Sequence, residues 1–275
     1  NMKKIYLWPA QGFGDAICLN ALIRNICDEY DAVSLFCSEH FYKSIKWMFR
    51  DIKNLNFISV PYPSHSVWEQ TIVNFINQNN LKVCELTEAG KIKSSGGQLD
   101  GDSVIKLGIQ HDLGQFCRSI PEGSKNFDHT LKALPTEPSN LVLFHHMSKE
   151  IIPFYEAYYM MYDLPVDYRF SNFYYERDIE SEDYVLSTLN PDNEKYIFVI
   201  EDGTHSLGYS ICIPEDRLPT QYKIIRYNKE LNYTDDRFVL FNYYKLLDNA
   251  EQIHTTETAF FEFIRSMSSS LNALS

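Results

Sequence analysis

Cysteine is scarce in this 275-residue chain, and no Cys-x-x-Cys pair occurs among its six cysteines. Cys18, Cys27, Cys37, Cys84, Cys117 and Cys212 lie mostly inside apolar runs. That usage excludes a disulfide framework or a zinc ribbon and fits reduced, buried thiols in a cytoplasmic protein. No apolar run approaches the ~20 residues that a membrane-spanning helix needs, and no basic-then-apolar leader precedes the first apolar stretch. Basic residues are also few: 25 Lys and Arg stand against 37 Asp and Glu, a net charge of −12. Phosphate backbones require a clustered basic surface, so a nucleic-acid partner is excluded, whereas a local basic pocket for one nucleotide is not. Internal repeats and low-complexity tracts are absent as well.

What is present is an ordinary globular composition, 44% hydrophobic and 23% charged, long enough for one large domain or two medium ones. The chain is organised around Lys3–Asp15. Ile5, Leu7 and Trp8 form a short strand that Pro9 ends, since proline cannot donate to a ladder. Gly12 and Gly14 permit a sharp turn, and Asp15 stands at the start of a helix over Ala16–Ile26. A strand, a glycine turn and a helix N-terminus together create free backbone N–H groups that favour anions or polar ligands.

Further strands are predicted at Ala32–Cys37, Leu55–Val60 and Leu81–Leu86, with helices at Glu39–Phe49 and Trp68–Ile76 between them. This alternation implies right-handed crossovers and a mostly parallel sheet. Residues 87–148 carry seven glycines and little periodicity, and read as loops over the sheet edge, an insert or lid. His145 and His146 are adjacent and cannot both face one site on a regular element, so no metal site is assigned to them. Helices are predicted at Lys149–Tyr162, with Tyr155, Tyr158 or Tyr159, and Tyr162 on one stripe, and at Glu180–Leu189. Strands follow at Tyr196–Ile200, Tyr209–Ile213, Lys223–Tyr227 and Gln252–His254, then helices at Phe241–Ala250 and Thr256–Met267. The expected architecture is α/β, with two Rossmann-like domains facing a cleft. The first spans 1–165 and the second 166–275, with the change of halves near residues 163–180.

Gly12-Phe13-Gly14-Asp15 and its helix resemble the start of the ADP-heptose:LPS heptosyltransferase-like glycosyltransferases, which have the two-Rossmann-domain (GT-B) form. The segments Phe154–Glu156, Phe173–Asp178, Tyr196–Gly208 and Asn249–Phe261 resemble a group of related bacterial and viral glycosyltransferase-like proteins. The resemblance covers roughly Lys3–Val60 and Phe154–Met267 and leaves the middle uncovered. It implies a metal-independent, inverting transfer of sugar from a nucleotide-sugar donor to a glycan or other hydroxyl acceptor, with no cofactor beyond the substrate. In one respect the chain departs from the pattern, which often carries an arginine where Leu207 stands before Gly208. Arg217, Lys223 and Arg226 are the nearby cations able to replace it.

Asp15 has two readings: a helix N-terminal carboxylate that caps N–H groups, or, as the resemblance implies, the base that takes a proton from the acceptor hydroxyl. Gly12, Phe13 and Gly14 form the loop on the acceptor side. His254, Thr255, Thr256 and Glu257 are expected to end a strand and begin a helix, where they either cap it or hold a nucleotide diphosphate and ribose. Glu201, Asp202, His205 and Ser206 follow a strand and either touch the donor or form a polar turn. Arg226 joins that donor set. Two rival classes remain. A dinucleotide-dependent oxidoreductase would use Gly12-x-Gly14 with Glu39 on a ribose, although Ile17 occupies the third glycine position. A non-catalytic nucleotide- or sugar-binding protein would retain the fold alone.

Overall fold

The computed structural model describes residues 3–10, 12–107, 132–135, 141–145, 154–165, 167–201, 213–256 and 258–267. The chain forms two compact α/β units, the first from residues 1–124 and 150–176 and the second from 125–149 and 177–275. The α/β class with mostly parallel sheets is as the sequence predicts.

In the first unit the strands are β1 (Lys4–Trp8), β2 (Ala32–Ser38), β3 (Leu55–Val60), β4 (Lys82–Glu85) and β5 (Ser103–Lys106). They form one sheet in the order β3-β2-β1-β5-β4, and every neighbouring pair is parallel. The short opening strand is therefore the centre of the sheet. Its alternation sorts the core: Tyr6 and Trp8 pack with Phe36, Val60, Trp68, Ile72 and Ile76, while Ile5 and Leu7 point the other way and are fully buried. Trp68, Ile72 and Ile76 come from one face of a helix (His65–Gln78) whose N-cap Ser64 accepts a hydrogen bond from Val67 N–H.

Several local expectations are corrected. The first helix is two helices, α1 (Phe13–Cys18) and α2 (Asn20–Glu29), parted at Leu19, where φ is −90° and ψ is 1°. The helical stretch expected from Glu39 is α3 (Tyr42–Met48), and the helix after β3 is α4 (His65–Gln78). The segment 87–148 is not uniformly irregular. It supplies most of α5 (Leu86–Ser94), the strand β5 that inserts between β1 and β4, and a hairpin belonging to the second sheet. The helix α5 closes through Gly96, whose φ of +76° suits glycine, and Gly97 N–H returns to the Ile92 carbonyl at 2.9 Å.

The chain returns to the first unit as α6 (Phe154–Met161) and α7 (Tyr168–Ser171). Asn20 pairs with the Tyr174 backbone in both directions, donating at 2.9 Å and accepting at 3.1 Å. Arg24 forms a two-pronged contact with Asp51, at 2.7 and 2.9 Å, and stacks over Tyr174. These bonds tie the chain around Tyr174 to the first unit, which the chain leaves at 176/177.

The second unit holds the strands β6 (Lys132–Pro135), β7 (Leu141–His145), β8 (Tyr196–Ile200), β9 (Lys223–Arg226) and β10 (Gln252–Thr256) in the order β6-β7-β10-β8-β9. All pairs are parallel except β6 with β7. Among the described residues its α-helices are α8 (Ile179–Leu189), α9 (Leu231–Thr234), α10 (Tyr244–Asp248) and α11 (Ala259–Met267). The helix expected over Phe241–Ala250 begins as a 3-10 turn at Leu240–Tyr243 before α10. One face of β8 is aromatic: Phe198 meets Tyr243 and Phe260, and Tyr227 meets Phe260 at 4.7 Å between ring centres. The other face packs Ile197 and Val199 on Ile213 and Leu218. Among the described residues no helix is long and apolar enough to cross a membrane.

Gly90 lets α5 press on the end of α6. A Cβ at that position would lie 1.9 Å from the Met161 carbonyl oxygen, which is backbone and cannot swing aside. Alanine is the better helix former by ~1 kcal/mol, but separating two packed helices costs about 1–3 kcal/mol. Gly90→Ala is therefore expected to lower unfolding free energy in urea, and a gain in stability would contradict this packing.

Candidate functional site

Two carboxyl edges, one in each unit, carry those residues singled out from the sequence that the structure describes. In the first unit the central strand β1 ends at Trp8, and the turn through Gly12 leads directly into α1. Gly12 has φ −77° and ψ 153°, an ordinary extended conformation, so it is not glycine for its dihedrals. It is glycine for space, because a Cβ there would stand 2.6 Å from Asp15 Oδ2. Gly12 N–H donates to that oxygen at 2.9 Å. Asp15 thus occupies the third position of α1 and folds back on the residue before the helix, the acidic half of a capping box. The helix N-terminus expected to welcome an anion already holds one of its own.

The other carboxylate oxygen has a partner from far along the chain. The Tyr155 hydroxyl of α6 donates to Asp15 Oδ1 at 2.6 Å. Asp15 and Tyr155 are both half-buried, so the carboxylate is held yet reachable. Behind Tyr155 lies Arg169 of α7, fully buried, with its guanidinium 5.4 Å from the Tyr155 ring centre and Nη2 3.1 Å from Cys18 Sγ. Phe13, half-buried, stacks on Phe41 at 5.9 Å with the planes 16° apart, and Gly14 is half-buried beside it in α1. Glu39, the residue an oxidoreductase would place on a ribose, accepts a hydrogen bond from Tyr62 N–H at 3.1 Å.

Sequence reasoning placed Tyr155 on a helix face but gave it no partner, and it passed over Arg169. The available signal was the spacing of Tyr155, Tyr159 and Tyr162, three polar-tipped aromatics on one helical stripe. All three hydroxyls reach the first helices. Tyr159 donates to the Cys18 carbonyl at 2.7 Å and receives Leu22 N–H, and Tyr162 donates to Glu29 at 2.8 Å.

In the second unit, Glu201 and Arg226 lie at the carboxyl ends of β8 and β9 and form an ion pair at 2.6 Å. The same Glu201 oxygen accepts from Ile213 N–H at 2.8 Å. Arg226, one of the three cations expected to stand in for the arginine, is therefore already balanced by a carboxylate. Asp202, His205, Ser206 and Glu257 lie outside the described residues, as do Leu207 and His146. His254 and Thr255 are buried within β10, and His254 Nε2 pairs with Gln252 Oε1 at 3.0 Å. The strand runs on through Thr256, the helix starts at Ala259, and Thr258 Oγ1 accepts from Phe261 N–H at 3.3 Å. The N-cap role expected of Thr255 or Thr256 thus falls to Thr258, because the β10 ladder extends two residues further than the sequence suggested. Among the described residues, no three His, Cys, Asp or Glu side chains converge to hold a metal ion.

No family model matches the chain, and no curated protein matches it. Solved structures do. The ADP-heptose LPS heptosyltransferase II of E. coli is 9% identical, with 98% of this chain and 82% of that chain covered, at a TM-score of 0.44. A glycosyl transferase family 9 protein from Veillonella parvula is 12% identical over 96% of this chain and 78% of its own, at 0.46. A Glycyrrhiza uralensis UGT, complexed with glycyrrhetinic acid 3-O-monoglucuronide, is 10% identical over 98% and 76%, at 0.40.

Burial of His254 has a consequence in solution. Loss of hydration disfavours the imidazolium, so the His254 pKa lies below its ordinary 6.5 in the folded state. The unfolded chain then binds the extra proton more readily. Stability is complete above about 6.5 and falls as the pH drops through that value, by up to about 1.4 kcal/mol per pH unit. His254→Asn is expected to flatten this slope between pH 7 and pH 5 in denaturant titrations. An unchanged slope would show that the histidine is not the group responsible.

Proposed function

We propose that this protein is a glycosyltransferase that moves a sugar from a nucleotide-sugar donor to a hydroxyl acceptor. The observation that carries the proposal is a half-buried carboxylate, Asp15, fixed at the carboxyl end of the central strand of a parallel sheet. Open parallel sheets bind ligands at that edge. The Gly-x-Gly-Asp resemblance puts the base of an inverting transferase at the same residue. In this reading the acceptor oxygen attacks the anomeric carbon and its proton passes to Asp15. The bond from that carbon to the diphosphate oxygen breaks, and the nucleoside diphosphate leaves. Inversion and independence of metal follow from the resemblance, as does the assignment of the donor to the second unit.

The donor surface in this reading comprises Glu201, Arg226 and the segments around Asp202–Ser206 and Thr256–Glu257. With Arg226 paired to Glu201, the positive field offered to a diphosphate is weaker than an unpaired arginine would give.

Unfolding measured with UDP, GDP, ADP, CMP and dTDP is expected to single out one nucleotide, which at a hundred times its Kd adds about 2.7 kcal/mol. The matching nucleotide-sugar should release its nucleotide in the presence of protein, with water as the simplest acceptor. Asp15→Asn keeps a capping side chain, so it is expected to fold and to bind that nucleotide as the wild type does. It should nevertheless turn over about a hundredfold more slowly or worse, the lower end of what a lost general base costs. Turnover near the wild-type rate would reduce Asp15 to a helix cap. Failure of every nucleotide to bind would remove the transferase reading.

A further inference from the structure

We infer that Tyr155 is a positioning residue for the Asp15 carboxylate, an inference that rests on the base role proposed above. The three tyrosines of this stripe, Tyr155 and Tyr159 in α6 and Tyr162 just past its end, are not equivalent. Tyr159 bonds to backbone in the buried joint between α1 and α2, and Tyr162 joins Glu29, which also pairs with Lys93. Both partners are structural. Of the three, it is Tyr155 that bonds to the side chain at the carboxyl edge of the sheet.

The geometry on Asp15 explains what that bond does. The terminal torsion of a carboxylate is broad and nearly two-fold, so one hydrogen bond leaves the plane of the group free to rotate. Here Oδ2 receives Gly12 N–H and Oδ1 receives the Tyr155 hydroxyl, at 2.9 and 2.6 Å. Donors on separate oxygens remove the remaining freedom and set the carboxylate plane. The phenol that sets it is itself held by the buried guanidinium of Arg169, which also contacts Cys18 Sγ. The fixed element is therefore a chain of contacts from α7 through α6 to the strand end. A base whose lone pairs are misplaced by about 1 Å loses on the order of a hundredfold in rate.

The test uses the nucleotide-sugar that the wild type cleaves among the UDP-, GDP-, ADP-, CMP- and dTDP-linked sugars, with water as acceptor. Tyr155→Phe keeps the ring and its packing and removes only the donor. It is expected to lower kcat about ten- to hundredfold while KM for the nucleotide-sugar stays put. Combined with Asp15→Asn, it should lower the rate no further than Asp15→Asn alone, because Tyr155 acts through that carboxylate. Tyr159→Phe, which also loses an α6 hydroxyl, should lower the melting temperature and leave kcat unchanged. Gly12→Ala disturbs the same carboxylate from the opposite oxygen and should repeat the kinetic signature of Tyr155→Phe, which keeps the inference open to refutation even if Tyr155→Phe does not fold. A slow Asp15→Asn beside wild-type kcat in Tyr155→Phe, or in Gly12→Ala, overturns the inference alone. Rate losses that multiply in the double variant overturn it too. An Asp15→Asn variant as fast as wild type instead removes the base role, and this inference falls with it.

Discussion

The return of the chain to the first sheet is governed by tyrosine hydroxyls. Residues 154–176 come back to the first unit after the β6–β7 hairpin of the second, and α6 is locked to α1 and α2 at three points one helical stripe apart. A phenol suits this joint because its ring supplies apolar area while its hydroxyl satisfies a polar group that burial would otherwise leave costly. Removing one such bond leaves a donor or acceptor without its partner, at about 1–3 kcal/mol. The same row of bonds ends at Asp15, so the element that completes the first unit also sets the orientation of its most chemically apt side chain. Fold and site depend on one contact surface here.

The second unit solves a comparable problem with charge. Arg177 makes a two-pronged bond to the fully buried Glu182 and stacks on Tyr244, which fixes the start of α8 where the chain re-enters this unit. Glu201 then does two tasks, balancing Arg226 and accepting a hydrogen bond from Ile213 N–H. A carboxylate with both partners in place costs little to keep partly buried, whereas losing either partner would leave a poorly solvated charge.

Much of the fold was legible where the chain obeys local rules. The strands β1, β2, β3 and β8 announce themselves by apolar runs and proline stops, and α4 by its apolar stripe, although its first turn and Ser64 cap were not read. Strand order was not legible, because β5 consists of four residues, Ser-Val-Ile-Lys, whose place between β1 and β4 is decided by distant pairing. The helix α5 was missed because Gly90 and a mixed surface dilute its pattern, and that glycine is present for the approach of Met161. At the site, the Gly-x-Gly-Asp motif pointed to Asp15, and its backbone partner follows from capping chemistry alone. Tyr155 could not be paired with it from the sequence, since 140 residues separate the two. The cap at Thr258 was assigned too early because His254-Thr255-Thr256 reads equally well as strand or as helix start.

The most direct test of the claim that Asp15 takes the acceptor proton uses a nucleophile that has none to give. Azide attacks an anomeric carbon without deprotonation, so it has no need of a base. Asp15→Ala, incubated with the nucleotide-sugar that the wild type cleaves, should regain turnover on addition of sodium azide and yield a glycosyl azide of inverted configuration. The wild type should gain little from the same addition. A folded Asp15→Ala variant that binds the donor yet stays inactive with azide would contradict the account.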